Sequence, residues 1–222
     1  MRVYAVVEGK CEEAFLKTVV AEHLAGRGIW LRPMRVLLSG GGRGGGSSWP
    51  PWQRHIARLL KQERGRDVRV TTMLDSYKIP KDTPGWTEPG SAPGFQRADQ
   101  VLSALAATIT DPRFIPYVQV YEFETFIFVD LPELARHAAD IVDAQAFAQL
   151  ERSVIHLSPE QINDDPSTAP SKRILACAPG FRKMRDGVPT VSAIGLGRLR
   201  EGCPRFDAWL RTLEQLPDSE QP

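Results

Sequence analysis

Apolar positions along the first 130 residues alternate between two periods. Val3 to Val7 is an unbroken apolar run closed by Glu8-Gly9, which predicts a short buried strand. Leu16, Val19, Val20 and Leu24 then recur at helical spacing within Glu12 to Leu24, and Gly26 and Gly28 stop that helix. Val36-Leu37-Leu38 predicts a second strand. Trp52, Ile56, Leu59 and Leu60 mark a second helix, and Val68 to Leu74 a third strand closed by Asp75-Ser76-Tyr77. Ala98, Val101, Leu102, Leu105 and Ile109 give another helix, and Tyr117 to Tyr121 a fourth strand that runs into Glu122-Phe123-Glu124. Strand and helix in alternation predict an α/β fold, with a mainly parallel sheet flanked by helices.

The last third carries no strand pattern. Ser158-Pro159-Glu160-Gln161 reads as a capping box with proline at the first helical position, and Ser171 as a further N-cap. Phe206, Trp209, Leu210 and Leu213 form a final apolar stripe. With neither repeat nor linker in view, the expectation is one domain over residues 1–222. Its core is 1–130, its helical C-terminal portion 131–216, and its end frays after Leu216. Ile79 to Phe95, rich in proline and glycine, predicts a long loop, a feature often tied to function.

Composition narrows the picture. The 222 residues are 42% hydrophobic and 25% charged, enough for a sizeable core. No apolar run approaches the roughly 20 residues of a membrane span. The chain enters strand-like sequence at once, without a signal-peptide pattern. Three cysteines at unrelated spacings argue against a disulfide framework and a cysteine zinc site, and the expected location is a reducing cytoplasm. The net charge of +1 is low for a protein that coats a duplex. Ser171 to Arg200, however, holds seven bases (Lys172, Arg173, Arg182, Lys183, Arg185, Arg198, Arg200) against Asp186 alone, so a mildly acidic body carries a basic segment.

The candidate chemistry is acidic. Glu8, Asp75 and the pair Glu122 and Glu124 lie just past the ends of three predicted strands. In a parallel sheet those ends share one edge, where ligands bind. Converging carboxylates repel unless neutralised, and a hard cation such as Mg²⁺ does this with oxygen ligands. A lone strand-end acid is ordinarily a cap or turn residue; three equivalent placements are not. Phe123 to Val129 is too evenly apolar to separate strand from helix, which leaves open which of Glu122 and Glu124 faces the site. Asn163-Asp164 and Ser171-Lys172-Arg173 flank a turn with Pro166 and Pro170, and a helix start bearing Ser, Lys and Arg suits phosphate. Lys183 and Arg185 read as surface. The Gly40 to Gly46 run lacks the Lys-Ser or Lys-Thr of a P-loop. His23, His55, His137 and His156 show no ligand spacing, no Gly-x-Ser-x-Gly elbow occurs, and Trp49, Trp52 and Trp86 read as hydrophobic anchors beside loops.

Val6-Val7-Glu8-Gly9-Lys10, between a first strand and a helix, resembles the opening motif of Toprim domains, which occur in topoisomerases, bacterial primases, small ribonucleases and overcoming-lysogenization-defect-type nucleases. In those domains a later strand ends in an Asp-x-Asp-like motif. Here Asp75-Ser76-Tyr77 has tyrosine at the second aspartate, and Glu122 or Glu124 is left to supply that ligand. A resemblance over nearly the whole chain rests on Val7-Glu8-Gly9 with Glu12-Glu13-Ala14-Phe15, on Asp75-Ser76-Tyr77 with Pro80 and Pro84-Gly85, and on Tyr121-Glu122-Phe123-Glu124. Ile162-Asn163-Asp164, Ala169-Pro170-Ser171-Lys172-Arg173 and Cys203-Pro204-x-Phe206 complete it. Together these are similar to the bacterial domain-of-unknown-function family 4276, considered Toprim-like, some of whose members accompany ATPases in defence-type gene neighbourhoods.

The resemblance implies a Mg²⁺-dependent nuclease, with Mn²⁺ as a substitute, acting on DNA or RNA. Glu8, Asp75, Glu122 and Glu124 would be both metal ligands and catalytic groups. Asn163, Ser171, Lys172 and Arg173 would hold the substrate. Two alternatives stand beside it: a non-catalytic or conditionally active subunit of a partner ATPase, and phosphoryl transfer on a small nucleotide with the proline-rich loop as lid. Self-association into a homo-oligomer is compatible with each.

Overall fold

The computed structural model describes residues 1–37, 48–77, 79–162 and 165–216. Leu38 and the Gly40 to Gly46 run therefore lie outside the described residues, as do Asn163, Asp164 and the chain end beyond Leu216. Strand β1 (Arg2–Val7) is central, paired in parallel with β2 (Trp30–Arg35) on one side and β3 (Val68–Asp75) on the other. Two short strands, β4 (Phe114–Ile115) and β5 (Val118–Gln119), both pair with β3 in parallel. From Val3 onward every residue of β1 is buried, as expected of a strand covered on both faces. The sheet is parallel throughout and flanked by helices, in agreement with the α/β reading.

Helices α1 (Lys10–Phe15) and α2 (Ala21–Ala25) follow β1 and are joined without a break by a π-helical turn, Leu16–Val20. Next come α3 (Pro50–Gln62), between β2 and β3, and α4 (Gly94–Thr108), between β3 and β4. Beyond the sheet a 3-10 helix (Phe123–Val129) leads into α5 (Leu131–His137), α6 (Ala144–Val154), α7 (Pro170–Cys177), α8 (Val188–Ile194), α9 (Leu196–Gly202) and α10 (Pro204–Glu214). The expected helical C-terminal portion is present.

Three expected boundaries are corrected. The second strand lies at Trp30–Arg35, ahead of the expected Val36-Leu37-Leu38, of which Leu38 lies outside the described residues; the Val36 amide donates to Val7 O at 3.0 Å. The reason is position: β2 is an edge strand carrying Arg32, Pro33 and Arg35, so it lacks the continuous apolar run of a doubly covered strand. The fourth strand shrinks to Val118–Gln119. Pro116 lacks an amide hydrogen, and around it the β3 side chains complete the contact: Thr71 Oγ1 donates to Ile115 O at 2.5 Å, and Thr72 Oγ1 to Tyr117 O at 2.9 Å. The capping box at Ser158 opens only a single 3-10 turn, Pro159–Gln161. There the Ser158 hydroxyl donates to Gln161 Oε1 at 3.1 Å instead of capping a backbone amide, and Glu160 accepts from Arg205 at 2.9 Å.

Six aromatic side chains join the sheet to the C-terminal helices. Phe126 lies 5.4 Å from Phe15 and 5.0 Å from Phe206, centroid to centroid, and Tyr117 stacks on Trp209 at 4.8 Å. Phe123 meets Phe15 edge-on at 5.8 Å. Trp49 and Trp52 are buried, as anchors should be, while Trp86 is half-buried with Lys81 Nζ 5.3 Å from its ring. Phe206, fully buried at the centre of this cluster, is the residue whose truncation should cost the fold most. Phe206→Ala is expected to lower unfolding stability by about 3–5 kcal/mol in chemical denaturation; a loss below about 1 kcal/mol would show that the C-terminal helices do not share the sheet's core.

Candidate functional site

Five carboxylates gather at the C-terminal ends of the parallel strands. Glu8 follows β1 directly. Glu12, on the first turn of α1, folds back so that its Oε2 accepts the Gly9 amide at 2.8 Å. A Cβ at Gly9 would stand 2.7 Å from that oxygen, so the glycine keeps the close approach open. Asp75 ends β3, and its Oδ2 accepts the Phe123 amide at 3.3 Å. Glu122 is extended and stands at the N-cap position of the 3-10 helix without a side-chain cap, and Glu124 lies in that helix's first turn, fully buried.

Glu122 and Glu124 both turn toward the same lysine. Because Glu122 stands outside the helix and Glu124 within it, the two carboxylates meet one cation: Lys183 Nζ is 2.8 Å from Glu124 Oε2 and 3.5 Å from Glu122 Oε2. Lys183 opens a π-helical turn, Lys183–Gly187, that runs into α8, and its side chain remains 48% exposed. Lys183 is thus at the surface, as expected, yet its ammonium reaches the buried acids. Single-sequence reading missed it because the lysine is 59 residues from Glu124 and carries no local motif. Glu12 was also missed as a site residue; the Glu12-Glu13 pair after Glu8-Gly9 was the available signal.

The electrostatics are those of an under-neutralised cluster. Burial, then the charge of Glu12, pushes Glu8 up to about 7. Glu124 rises to about 7, with burial the main cause, Lys183 opposing and Glu122 adding to it. Asp75 lies well above the usual carboxylate range through burial and the charges of Glu12, Glu8 and Glu124, and Glu12 is raised by burial. Cys11, buried among these acids, is pushed up to about 12 and stays a thiol.

These directions carry a sign for stability. An acid whose folded proton affinity is raised stabilises the fold below its unfolded value and loses that contribution as pH climbs through the folded one. The metal-free protein should therefore lose stability as pH rises from about 4.5 through about 7, the interval spanned by Glu8 and Glu124. Each unit is worth about 1.4 kcal/mol, so the fully buried Glu124 alone accounts for on the order of 3 kcal/mol. Thermal melts in chelator between pH 4.5 and 8 measure it. A flat profile would mean that the acids are already neutralised.

The donor set suits a hard cation. Asp75 Oδ1 and Glu124 Oε1 are buried oxygens with no hydrogen-bond partner among the described residues. As placed, no three Asp, Glu, His or Cys side chains among the described residues clasp a single point. The Lys183 ammonium instead supplies the positive charge beside Glu122 and Glu124.

The expected phosphate-binding residues that are described meet different partners. Ser171 is the second residue of α7, not its N-cap, and its amide donates to Glu122 Oε1 at 2.7 Å. Arg173 is spent on backbone, with Nε donating to Thr168 O at 2.8 Å and Nη2 to Ile162 O at 3.0 Å. This corrects its substrate-holding role: α7 starts so close to the loop before it that the guanidinium meets carbonyls first. Lys172 is exposed, and Asn163 lies outside the described residues. Arg185 pairs with Asp186 at 2.7 Å, in keeping with a surface role.

No curated protein sequence matches this chain. Among solved structures, the C-terminal region of the Burkholderia pseudomallei OLD protein is 15% identical, with a TM-score of 0.46 and coverage of 96% of each chain. The C-terminal region of the Xanthomonas campestris pv. campestris OLD protein is 18% identical, with a TM-score of 0.43 over 96% of this chain and 92% of that one. A family match spans residues 7–214, from the last residue of β1 to the last residue of α10, and takes in Glu8, Glu12, Asp75, Glu122, Glu124 and Lys183. By that match the protein belongs to the family described as Domain of unknown function (DUF4276).

Proposed function

We propose that the protein is a Toprim-like, metal-dependent phosphodiesterase that cuts nucleic acid, with Mg²⁺ as its ion and Mn²⁺ as a substitute. The observation that carries this reading is the set of five carboxylates at the strand ends, two of them with buried oxygens left without a partner. Glu8, Asp75, Glu122 and Glu124 would hold the ion, with Glu12 beside them. Bound there, the ion supplies charge stabilisation on the phosphate and a more acidic water. The chain's own groups do the rest. Glu8, pushed up to about 7 while no ion is bound, would release its proton as an ion enters near neutral pH. Lys183, half-exposed and anchored to Glu124, can turn its ammonium toward an anionic substrate at the mouth of the cluster. Exposed Lys172 supports backbone contact by charge. The three free, buried cysteines agree with a reducing cytoplasm as the site of action, and no helix is long and apolar enough to cross a membrane among the described residues.

The test is direct. Single- and double-stranded DNA and RNA are incubated with the protein and Mg²⁺ or Mn²⁺. Strand breakage is expected that disappears with chelator and in Glu124→Gln. All four substrates left intact by protein that fails to bind Mn²⁺ would remove the reading.

A second reading draws on the position of Lys183. An acid cluster part-neutralised by its own lysine suits a conditionally active subunit, held in reserve until a partner such as an ATPase rearranges it. Mn²⁺ binding without cleavage of any substrate would favour this reading.

A further inference from the structure

Tyr121 occupies the left-handed region, φ 61°, and is the sole non-glycine residue with positive φ among the described residues. That conformation is costly for a bulky side chain and persists only where surroundings enforce it. Three contacts enforce it here. The Tyr121 amide donates to Ser76 Oγ at 2.7 Å, and Tyr121 O accepts the Tyr77 amide at 2.6 Å. Its ring lies over Gly94, the first residue of α4, where a Cβ would fall 2.0 Å from a ring carbon. The three nearest atoms to that Cβ all belong to the Tyr121 ring, so no other group demands the glycine as closely.

The position of this residue gives the strain a purpose. Asp75 immediately precedes Ser76, and Glu122 immediately follows Tyr121. The two hydrogen bonds therefore tie the acid-bearing end of β3 to the acid-bearing segment after β5. The left-handed turn ends strand-like pairing at that point and directs the chain into Glu122 and the 3-10 helix that carries Glu124. Ser76 and Tyr77, the two residues after the β3 aspartate, thus serve as partners of Tyr121 instead of bearing a second strand-end acid.

Building on the metal-site reading above, we infer that Tyr121 is a positioning residue. Its left-handed backbone, held by Ser76 and Tyr77 and seated on Gly94, sets the placement of Glu122 and Glu124 against Asp75 for a divalent ion. The role belongs to the backbone, so two ring-deleting substitutions should differ. Glycine adopts φ near 60° without cost, whereas β-branched valine resists it.

Mn²⁺ titration calorimetry on the full chain tests this, with thermal melts in chelator confirming that each variant folds. Tyr121→Gly should keep affinity within about threefold of wild type. Tyr121→Val should lose about tenfold or more, the range of a displaced supporting contact. Gly94→Ala should lose a similar factor, and Gly94→Ala/Tyr121→Gly should recover it, because the ring that the new methyl would strike is gone. Equal affinities in Tyr121→Gly and Tyr121→Val would overturn the inference, as would no recovery in the double variant. Should Gly94→Ala not fold, the glycine–valine pair decides alone. Wild type that binds no Mn²⁺ overturns the metal reading itself and the inference with it, an outcome distinct from wild-type binding with indifferent variants.

Discussion

Asp75→Asn should remove most metal-dependent activity, on the order of a hundredfold, and weaken Mn²⁺ binding while making the metal-free protein more stable. The two effects have one cause. Asp75 ends β3 inside a cluster where Glu12, Glu8 and Glu124 all oppose its charge, and one of its oxygens has no hydrogen-bond partner among the described residues. Asparagine keeps the shape and still accepts the Phe123 amide, but it carries no charge to repel or to bind an ion. At pH 8 in chelator the variant should be the more stable of the two, since burial and the neighbouring acids make the ionised Asp75 unfavourable in the fold. At pH 4.5 the gap should narrow, because folded Asp75 is then protonated and uncharged like asparagine, and it should narrow further as pH falls through the carboxyl's unfolded value. Denaturant unfolding at the two pH values, with and without Mn²⁺, separates these contributions. A variant less stable than wild type at pH 8 would show that Asp75 is held by favourable contacts and is not strained, which would remove the reason to place an ion beside it.

Lys183→Met carries the second large effect, of opposite sign. Lys183 is a cation for which burial is outweighed by Glu124 and Glu122, so its proton affinity is raised and it stays charged across the working range. Removing it leaves Glu124 buried without its partner. Breaking a buried pair costs about 3–5 kcal/mol. The lysine is half-exposed, so solvent screening brings the expected loss to about 2 kcal/mol at pH 8 in chelator. The pH dependence comes from Glu124. Near pH 5, below its value of about 7, the acid is neutral and the loss should shrink. Mn²⁺ should restore more stability to Lys183→Met than to wild type, because the ion then meets a cluster with no resident cation. Equal Mn²⁺-induced shifts in the two proteins would place the ion away from Glu122 and Glu124.

Much of this architecture was legible along the chain. β1 and β3 are covered on both faces, so their apolar runs stand out, and the acids that follow them are adjacent in sequence to the strand ends that place them. The amphipathic stripes of α3, α4 and α10 were visible for the same reason: one face of each meets the core, and the period records it. Local pattern determined the parallel α/β sheet, the helical C-terminal portion, and the convergence of Glu8 and Asp75 at one edge.

The remainder was decided by contacts between residues distant in sequence. β2 is an edge strand with a proline and two arginines, so its register comes from pairing with β1 and not from its own pattern. Phe123 to Val129 is apolar at five of seven positions with no single period, and packing of Phe123 and Phe126 against Phe15 and Phe206 accompanies its 3-10 form. Arg173 looked like a phosphate ligand until the fold brought the carbonyls of Thr168 and Ile162 within its reach. Lys183 is at the surface, and its pairing with Glu124 shows only once the turn before α8 is set against that acid. The sequence by itself determined which strands bear acids and that those acids share an edge, because both follow from local period and parallel topology. Tertiary structure alone decided which cation answers them and how Tyr121 turns the chain between them, since charge pairing and a left-handed backbone both depend on neighbours dozens of residues away.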